Sequence, residues 1–501
     1  MITRLAFRSA AQRPLRTALL LGGYGLGVGV TVALLSIATA LLEQARDREL
    51  VGGGDLTVLP AGIDLETFRT GGVSSMYFTI EQAPFLYREV LRSARHEKGI
   101  LSAAPWIDDA LLYTRLGGEV IPVAASGEIP SLSEALGVPP TLLSGSWHDR
   151  PADRAWQTPD DSTLYAQIDR FHRPPRGARG DPTWAEWHYF NVLLPGGRGW
   201  LYLTYMIAGD IESGQWGGRM LATLVEAAEE HERAYEAEVA PAEVEFFHDR
   251  PDVRIGASEV RLGPDARYEL VAVLPELEGS DTLRVRLSIH SPEKRYVPPL
   301  EIGGELASGY TVPILAGAAE GEICAGGSCT SLHEAPAYHD HNWGTWRAVT
   351  WEWGTVRAGS FALVYGGVLD SGAPAGSPFL FLADSLGFRR VLDVGEITYE
   401  WGSRPVGARR HPRPTGLRLL ARAGGDSLVL RARTDHVRVT ELTGEQGERR
   451  LFFQLRGTAR LSGTVGAETV EAAGEGFFET WSTEGEDGML GRPVGGRLVA
   501  D

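Results

Sequence analysis

The amino-acid sequence predicts a mainly β protein: two antiparallel β-barrels in tandem, preceded by one transmembrane helix and a small α/β segment. From about residue 181 onward, short alternating segments are separated by turn residues roughly every 8 to 12 positions. The 62 glycines and 29 prolines are spread along the chain and suit many short strands joined by turns. More than 300 residues of this kind exceed one eight-stranded barrel, so two barrels are expected.

The composition is that of a large globular protein. The chain has 501 residues, which favours two or three domains, and 43% apolar residues are sufficient for large cores. The formal net charge of −17 argues against a nucleic-acid partner, because binding to phosphates needs clustered Lys and Arg.

The first 42 residues predict a membrane anchor. Residues 1–16 form a basic tail with four arginines and no acid, and residues 17–42 contain no charged residue. Such a run is long enough to cross a bilayer as a helix. A cleaved signal peptide is the alternative, since Ala38-Thr39-Ala40 would suit cleavage, but the run exceeds a signal core. The arginines predict a single-pass protein of the cytoplasmic (inner) membrane, with its N-terminus in the cytoplasm and its barrels outside.

Between the span and the barrels the pattern is mixed. Residues 43–155 predict an α/β segment with a strand at GGDLTVLP, an amphipathic helix over Ile80–Glu97 and a hairpin over Ala110–Ala125. Residues 156–180 are rich in Pro, Gly and Arg and predict a linker. Among the later strands, an acidic and Ala-rich helix is expected over Met220–Ala242.

The N-terminal third resembles a transporter family. The strings RPLRTALLLGGYGLGVGVTVALLS, GGGDLTVLPAG and LLSGSWHDRPAD are similar to the opening of an ABC-transporter permease of the macrolide-exporter/lipoprotein-release class, with its periplasmic core. The later membrane helices of that family are absent, so the segment is expected to be an anchor and docking piece. The resemblance implies ABC-transporter ATPase or permease subunits as partners.

The stretch Ala335–Trp353 concentrates polar and aromatic chemistry. Its sequence, APAYHDHNWGTWRAVTWEW, has no helical periodicity and predicts two strands around Gly344. Because side chains alternate along a strand, His339, His341 and Trp343 would share one face, and Asp340 and Asn342 the other. Imidazoles beside an indole in an enclosed barrel can carry out proton chemistry or bind a ligand.

Four strings in the second part resemble one further family. EWHYFN (186–191), YHDHNWG (338–344), WEWG (351–354) and GFFETW (476–481) are similar to motifs of the carotenoid 1,2-hydratase (hydroxyneurosporene synthase)/AttH-like family. The resemblance implies tandem lipocalin-like barrels over residues 181–348 and 349–495. It also implies an apolar ligand of the polyene or terpenoid class, hydro-lyase activity and no cofactor.

The family's site residues carry over to matching positions. Adding water to an alkene needs an acid strong enough to protonate carbon, a group that stabilises the cation and a group that positions water. By resemblance, Asp370 is the acid, His341 its partner or the water base, and Trp343 the cation stabiliser. The sequence departs from the family at Val368, where a Tyr is usual, and in the EWHYFN string. The candidate ligand-binding residues are His339, Tyr338, Asn342, Glu186, His188, Tyr189, Trp351, Trp353 and Tyr365.

Other interpretations of these residues remain open. The HDHN string can instead tie strands together by buried hydrogen bonds. A metal site would need His188 or His333 beside His339 and His341, and no metal is expected. The protein as a whole can be an enzyme or a ligand-handling accessory subunit of an ABC exporter.

Two glutamates and two cysteines also have alternatives. Glu186 and Glu352 lie between aromatic residues and are either buried acids with a raised pKa or solvent-facing partners of Arg347 or Arg357. The two cysteines, Cys324 and Cys329, form a candidate disulfide if this part of the chain is extracytoplasmic.

Overall fold

The computed structural model describes residues 14–44, 99–100, 102–137, 146–151, 153–154, 161–174, 178–197, 199–226, 231–292, 296–302, 308–346, 349–370, 373–374, 378–406, 409–443 and 449–483. The chain divides into two compact units, and the larger one contains every strand from Trp184 onward. The predicted strand GGDLTVLP and helix Ile80–Glu97 lie outside the described residues.

The smaller unit contains helix α1 (Pro14–Gln44), strands β1 (Trp106–Leu116) and β2 (Glu119–Glu128), and helix α2 (Pro130–Ala135). The predicted hairpin is confirmed: β1 and β2 pair antiparallel around Gly117 and Gly118, whose φ angles of 60° and 93° suit glycine. The predicted membrane crossing over residues 17–42 is not confirmed, because no helix among the described residues is both long enough and apolar enough to span a bilayer.

The first barrel follows a short helix, α3 (Asp161–Ile168). Its strands are β3 (Trp184–Leu193), β4 (Gly199–Asp210), β5 (Gln215–Glu226), β6 (His231–Val239), β7 (Val244–Phe246), β8 (Val253–Ile255), β9 (Ser258–Leu262), β10 (Tyr268–Pro275), β11 (Thr282–His290), β12 (Val297–Ile302), β13 (Ser308–Ala325) and β14 (Ser328–Thr345). They pair antiparallel in the order β6-β5-β4-β3-β14-β13-β11-β10-β9-β8-β7, with β12 beside β13. A bridge between Tyr235 and Glu276 brings β6 to the end of β10, so the sheet is nearly closed.

The second barrel is closed. Its strands are β15 (Val349–Ala358), β16 (Phe361–Asp370), β17 (Ala373–Pro374), β18 (Phe379–Asp384), β19 (Gly387–Val406), β20 (Arg409–Ala423), β21 (Asp426–Thr443), β22 (Arg449–Val465) and β23 (Glu468–Thr483). Eight of them run in the order β15-β23-β22-β21-β20-β19-β18-β16, β15 pairs with β16 to complete the ring, and β17 pairs with β16. The mainly β prediction is therefore confirmed.

The helix predicted over Met220–Ala242 is wrong. Strands β5 and β6 occupy the described residues of this range, followed by a 3₁₀ turn at Pro241–Glu243. Gly218, Met220 and Ala222 are buried while Arg219 and Leu221 between them are not, which is the period of a strand rather than a helix. Pairing with β4 on one side and β6 on the other outweighs the helix propensity of the alanines and glutamates.

The outer face of the second barrel packs against the first. Along β15 and β16, Val356 and Leu363 point into the second core, while Trp353 and Val364 join the apolar cluster of the first barrel. This arrangement follows from the two-residue period of a strand, which gives each strand two different faces. The boundary between the barrels is thus a packed junction that both barrels line.

Candidate functional site

The predicted alternation in β14 is confirmed. His339, His341 and Trp343 point into the first barrel, with exposed fractions of 0%, 0% and 1%. Strand β14 pairs antiparallel with β3, which sets His341 opposite His188 and Trp343 opposite Glu186. Because paired residues project from the same face of a sheet, the YHDHNWG and EWHYFN strings meet inside one barrel.

Asp169 is the centre of this meeting point. Its Oδ2 accepts a hydrogen bond from the Tyr268 hydroxyl at 2.6 Å and lies 3.1 Å from His339 Nε2. Its Oδ1 lies 2.9 Å from His341 Nδ1 and 3.6 Å from His188 Nδ1. Asp169 immediately follows helix α3, in the segment that the sequence predicts to be a linker.

A second carboxylate lies on the other side of His341. Glu186 Oε1 is 3.0 Å from His341 Nε2 and 2.8 Å from His172 Nδ1, and it accepts a 2.8 Å bond from the His172 backbone N–H. The His172 ring stacks on Trp343, with ring centroids 3.8 Å apart. Trp343 therefore packs against the ring of His172. We refer to Asp169, His172, Glu186, His188, His339 and His341 as the histidine cluster.

Burial and charge act against each other in this cluster. Burial raises the pKa of Asp169, but His188, His339 and His341 outweigh it and hold that pKa well below its usual range. Burial also raises the pKa of Glu186, and the neighbouring His172 and His341 again bring it below the ordinary value. Both groups are therefore carboxylates at neutral pH.

Two of the histidines differ in charge. Burial lowers the pKa of His341, but its hydrogen bonds to Asp169 and Glu186 outweigh burial and raise that pKa to about 9. Burial lowers the pKa of His188 well below its usual range, and the opposing charge of Asp169 does not restore it. His341 is thus an imidazolium between two carboxylates, whereas burial favours the neutral form of His188.

The opposite face of β14 points to the junction between the barrels. Here the Asn342 amide donates to Asp340 Oδ1 at 2.6 Å, and Trp353 Nε1 of the second barrel donates to the Tyr338 hydroxyl at 3.1 Å. Burial, together with the nearby charge of Glu479, raises the pKa of Asp340 to about 8. The predicted binding residues Tyr338, Asn342 and Trp353 are therefore brought together.

Glu479 provides a second acid at this junction. It is half-buried, and it accepts hydrogen bonds from Trp351 Nε1 at 2.7 Å and from Gln454 Nε2 at 3.1 Å. Burial raises the pKa of Glu479 to about 7, against the effect of these two donors. Glu479 was not among the residues predicted from the sequence, although it lies in the quoted GFFETW string.

Aromatic rings surround the two acids. Tyr189 and Tyr202 of the first barrel contact Phe477 of the second, at centroid distances of 6.0 and 5.2 Å, and Trp351 contacts Trp481 at 4.9 Å. Trp351 is half-buried, so the site retains contact with solvent. We call Asp340, Glu479 and these five rings the junction site.

The second barrel encloses a buried acid of its own. Glu352 is 0% exposed and accepts hydrogen bonds of 2.6 Å from the Tyr399 and Thr480 hydroxyls. Burial raises its pKa to about 8, so it is protonated at neutral pH. The prediction that Glu186 and Glu352 face solvent is therefore wrong, because both are 0% exposed. Arg357 donates to the Gly317 carbonyl instead, and pairing with Arg347 stays a prediction because Arg347 lies outside the described residues.

Two predicted residues lie elsewhere. Asp370 is at the end of β16, where its backbone pairs with Val349 and Ala373, and its side chain lies outside the described residues. Its role as the acid stays a prediction, but its predicted partner, His341, has Asp169 and Glu186 on its two ring nitrogens. Tyr365 is buried inside the second barrel, away from the histidine cluster.

His188 and His333, the two candidates for a third metal ligand, lie in different places. His333 is exposed on β14 and does not join the histidine cluster, whereas His188 does. Cys324 and Cys329 form a disulfide next to the turn between β13 and β14, where the two residues pair across the hairpin.

Three solved structures are similar to this chain at low identity. They are a putative AttH from Nitrosomonas europaea (14% identity, TM-score 0.45, 62% of this chain and 96% of that one), kievitone hydratase from Nectria haematococca (12%, 0.40, 62% and 93%) and CghA with Sch210972 (14%, 0.39, 62% and 93%). No protein-family model and no curated protein matches the chain. The permease resemblance of the first 150 residues has no support from these comparisons.

Proposed function

We propose that the protein binds an apolar, unsaturated small molecule at the junction site and acts as a hydro-lyase, adding water to or removing it from a carbon–carbon double bond. The observation that carries this proposal is the pair of acids, Asp340 and Glu479, set among aromatic rings where the two barrels meet.

The junction supplies the components that hydration of an alkene requires. A carboxylic acid that is partly protonated near neutral pH can donate a proton to one alkene carbon, and Glu479, with a pKa raised to about 7, has this property. The neighbouring carbon becomes a cation, which the electron-rich faces of aromatic rings stabilise. Water then bonds to that carbon and returns a proton to the carboxylate, so the acid is regenerated. The reverse sequence removes water.

The surroundings favour an apolar substrate. Tyr189, Tyr202 and Phe477 form one group of contacting rings at the junction, and Trp351 and Trp481 form another. Apolar sites with a few placed polar groups are typical of small-molecule binding. The strings that resemble the carotenoid 1,2-hydratase family also favour a polyene or terpenoid.

Incubation with squalene and lycopene in water enriched in oxygen-18 tests the proposal. We expect products heavier by one molecule of labelled water, detected by mass spectrometry. The Glu479→Gln variant keeps the size of the side chain and loses the acid, so turnover should fall by about 100-fold or more. Glu475→Gln, an exposed position on the same strand, is the matched control and should retain full turnover.

Tryptophan fluorescence separates binding from chemistry. Quenching that saturates with lycopene, without labelled product, would show a binding protein and contradict the enzymatic part of the proposal. Full activity in Glu479→Gln would show that another group is the acid. An absence of both quenching and product with either polyene would contradict the proposed substrate class.

A further inference from the structure

Two buried carboxylates and four imidazoles meet in the histidine cluster. Asp169 and Glu186 are both 0% exposed, and a buried carboxylate is strongly unfavourable unless its neighbours compensate it. Among the described residues, neither carboxylate has a Lys or Arg partner. Histidine nitrogens therefore make up the ion-pair surroundings of both carboxylates.

The orientation of two histidines shows where a bound ion would lie. His188 Nε2 donates to the Pro251 carbonyl at 2.9 Å, and His339 Nδ1 donates to the Tyr189 carbonyl at 3.0 Å. These bonds leave His188 Nδ1 and His339 Nε2 as the ring nitrogens that face the Asp169 carboxylate, at 3.6 and 3.1 Å. In the neutral imidazole that metals bind, each of these nitrogens carries a lone pair.

His188 Nδ1 is the clearest of these atoms. It is fully buried and has no hydrogen-bond partner within the described part of the chain. Its distance of 3.6 Å to Asp169 Oδ1 is too long for a hydrogen bond. Lone pairs that converge without protons between them repel one another unless a cation lies among them.

We propose that Asp169, His188 and His339 bind a divalent transition-metal ion inside the first barrel. The three ligand atoms all lie within 4.8 Å of one another. For bonds of about 2.1 Å, ligand atoms around a tetrahedral ion are separated by about 3.4 Å. The observed separations of 3.1 and 3.6 Å from the carboxylate oxygens to His339 Nε2 and His188 Nδ1 bracket this value.

The surrounding contacts are those of a metal site. Metal-binding histidines usually donate their second ring nitrogen to a carbonyl or carboxylate, which fixes the tautomer, and both histidines do so here. The Tyr268 hydroxyl donates to Asp169 in the same manner. Two imidazoles and one carboxylate suit Zn²⁺, Co²⁺ or Fe²⁺, whereas Mg²⁺ and Ca²⁺ prefer oxygen ligands.

The ligands come from three separate parts of the first barrel. Asp169 follows α3, His188 lies in β3 and His339 lies in β14. An ion bound among them links the preceding helix to two paired strands. Because all three side chains are 0% exposed, we assign the ion a structural role, with binding coupled to folding.

Metal analysis of the purified full-length protein tests this proposal. We expect one zinc or other transition-metal ion per chain by plasma mass spectrometry. After removal with a chelator under mildly destabilising conditions, Co²⁺ alone should restore a stoichiometric visible absorption and raise the melting temperature. Mg²⁺ at the same concentration should do neither.

Variants then identify the ligands. His188→Gln should weaken Co²⁺ binding by more than about 100-fold, which exceeds the loss typical of an outer partner. His333→Gln, exposed on β14, is the control and should bind as the unaltered protein does. If His188→Gln does not fold, the metal content and Co²⁺ response of the unaltered chain decide. No metal above background, together with no Co²⁺ response, would show that protons alone balance the cluster.

Discussion

The two barrels bury carboxyl groups in opposite ways. In the first, Asp169 lies against His339 and His341, and its pKa is depressed although it has no contact with solvent. In the second, Glu352 has two hydroxyl donors, Tyr399 and Thr480, and its pKa rises to about 8. Both groups are equally buried, at 0% exposure. Burial alone therefore does not decide the charge of an acid; the presence of a cationic neighbour does.

The difference matters for what each barrel can do. A carboxylate held ionised among histidines can bind a cation, and it is difficult to protonate. A carboxyl group that remains protonated can donate a proton, as the junction acids also can. The junction acids Asp340 and Glu479 follow the second pattern, because their donors are two amides, a hydroxyl and an indole rather than charged groups.

Removing the charge of Asp169 should have the largest effect. In protein stripped of metal, Asp169→Asn leaves the His341 imidazolium with one carboxylate instead of two and weakens the acceptor for Tyr268. Breaking a buried ion pair typically costs about 3–5 kcal/mol. Urea unfolding at pH 7 should show a loss of this size. Asp249→Asn, at a site that is 79% exposed, should change stability little. Equal stability of Asp169→Asn and the unaltered protein would mean that the cluster is not charged as described.

Replacing Glu352 should instead increase stability relative to the unaltered protein as the pH rises. Its folded pKa of about 8 exceeds the ordinary value of 4.5, so between these values the folded state holds a proton that the unfolded state has lost. Stability should therefore fall as pH rises from 5 to 8, by about 1.4 kcal/mol per pH unit from this group. Glu352→Gln removes this contribution, so the free energy of unfolding of the variant should increase relative to that of the unaltered protein as pH rises.

Unfolding curves at four pH values between 5 and 8 measure the difference. Glu471→Gln, at an exposed position in β23, is the control and should keep the slope of the unaltered protein. Taking the difference between variant and parent isolates Glu352, because Asp340 and Glu479 also hold protons in this range and add to the total slope. Parallel curves for Glu352→Gln and the parent would show that Glu352 is ionised in the folded state.

The sequence was sufficient for the mainly β architecture of the larger unit and for the faces of β14. Alternating residues and frequent turns predicted the strands, and the two-residue period placed His339 and His341 together inside a barrel. The same patterns failed over Met220–Ala242, where pairing with neighbouring strands outweighed helix propensity. The local composition of a segment does not show which strands it will pair with.

The centre of the histidine cluster could not be predicted for a related reason. Asp169 lies in a segment rich in Pro and Arg that has no strand pattern, and its partners are 19 to 172 residues away along the chain. The opposition of His341 and His188 depends on the register between β14 and β3, which no local pattern specifies. The one available signal was the acid–aromatic sequence of Asp169 and Phe171 after an apolar turn of helix.

The junction provides the smallest and most specific test of the comparison. If it resembles the second barrel, its polar contacts are neutral hydrogen bonds, and removing one should cost about 1–2 kcal/mol rather than the cost of a broken ion pair. Tyr338→Phe leaves the buried Trp353 N–H without its acceptor, which is 3.1 Å away in the structure. Trp353→Phe removes the donor instead.

The double variant Tyr338→Phe/Trp353→Phe should be more stable than the sum of the two single losses predicts, because no unpaired donor remains. Urea unfolding of all four proteins measures this coupling, and strictly additive losses would mean that the two barrels are not joined by this bond.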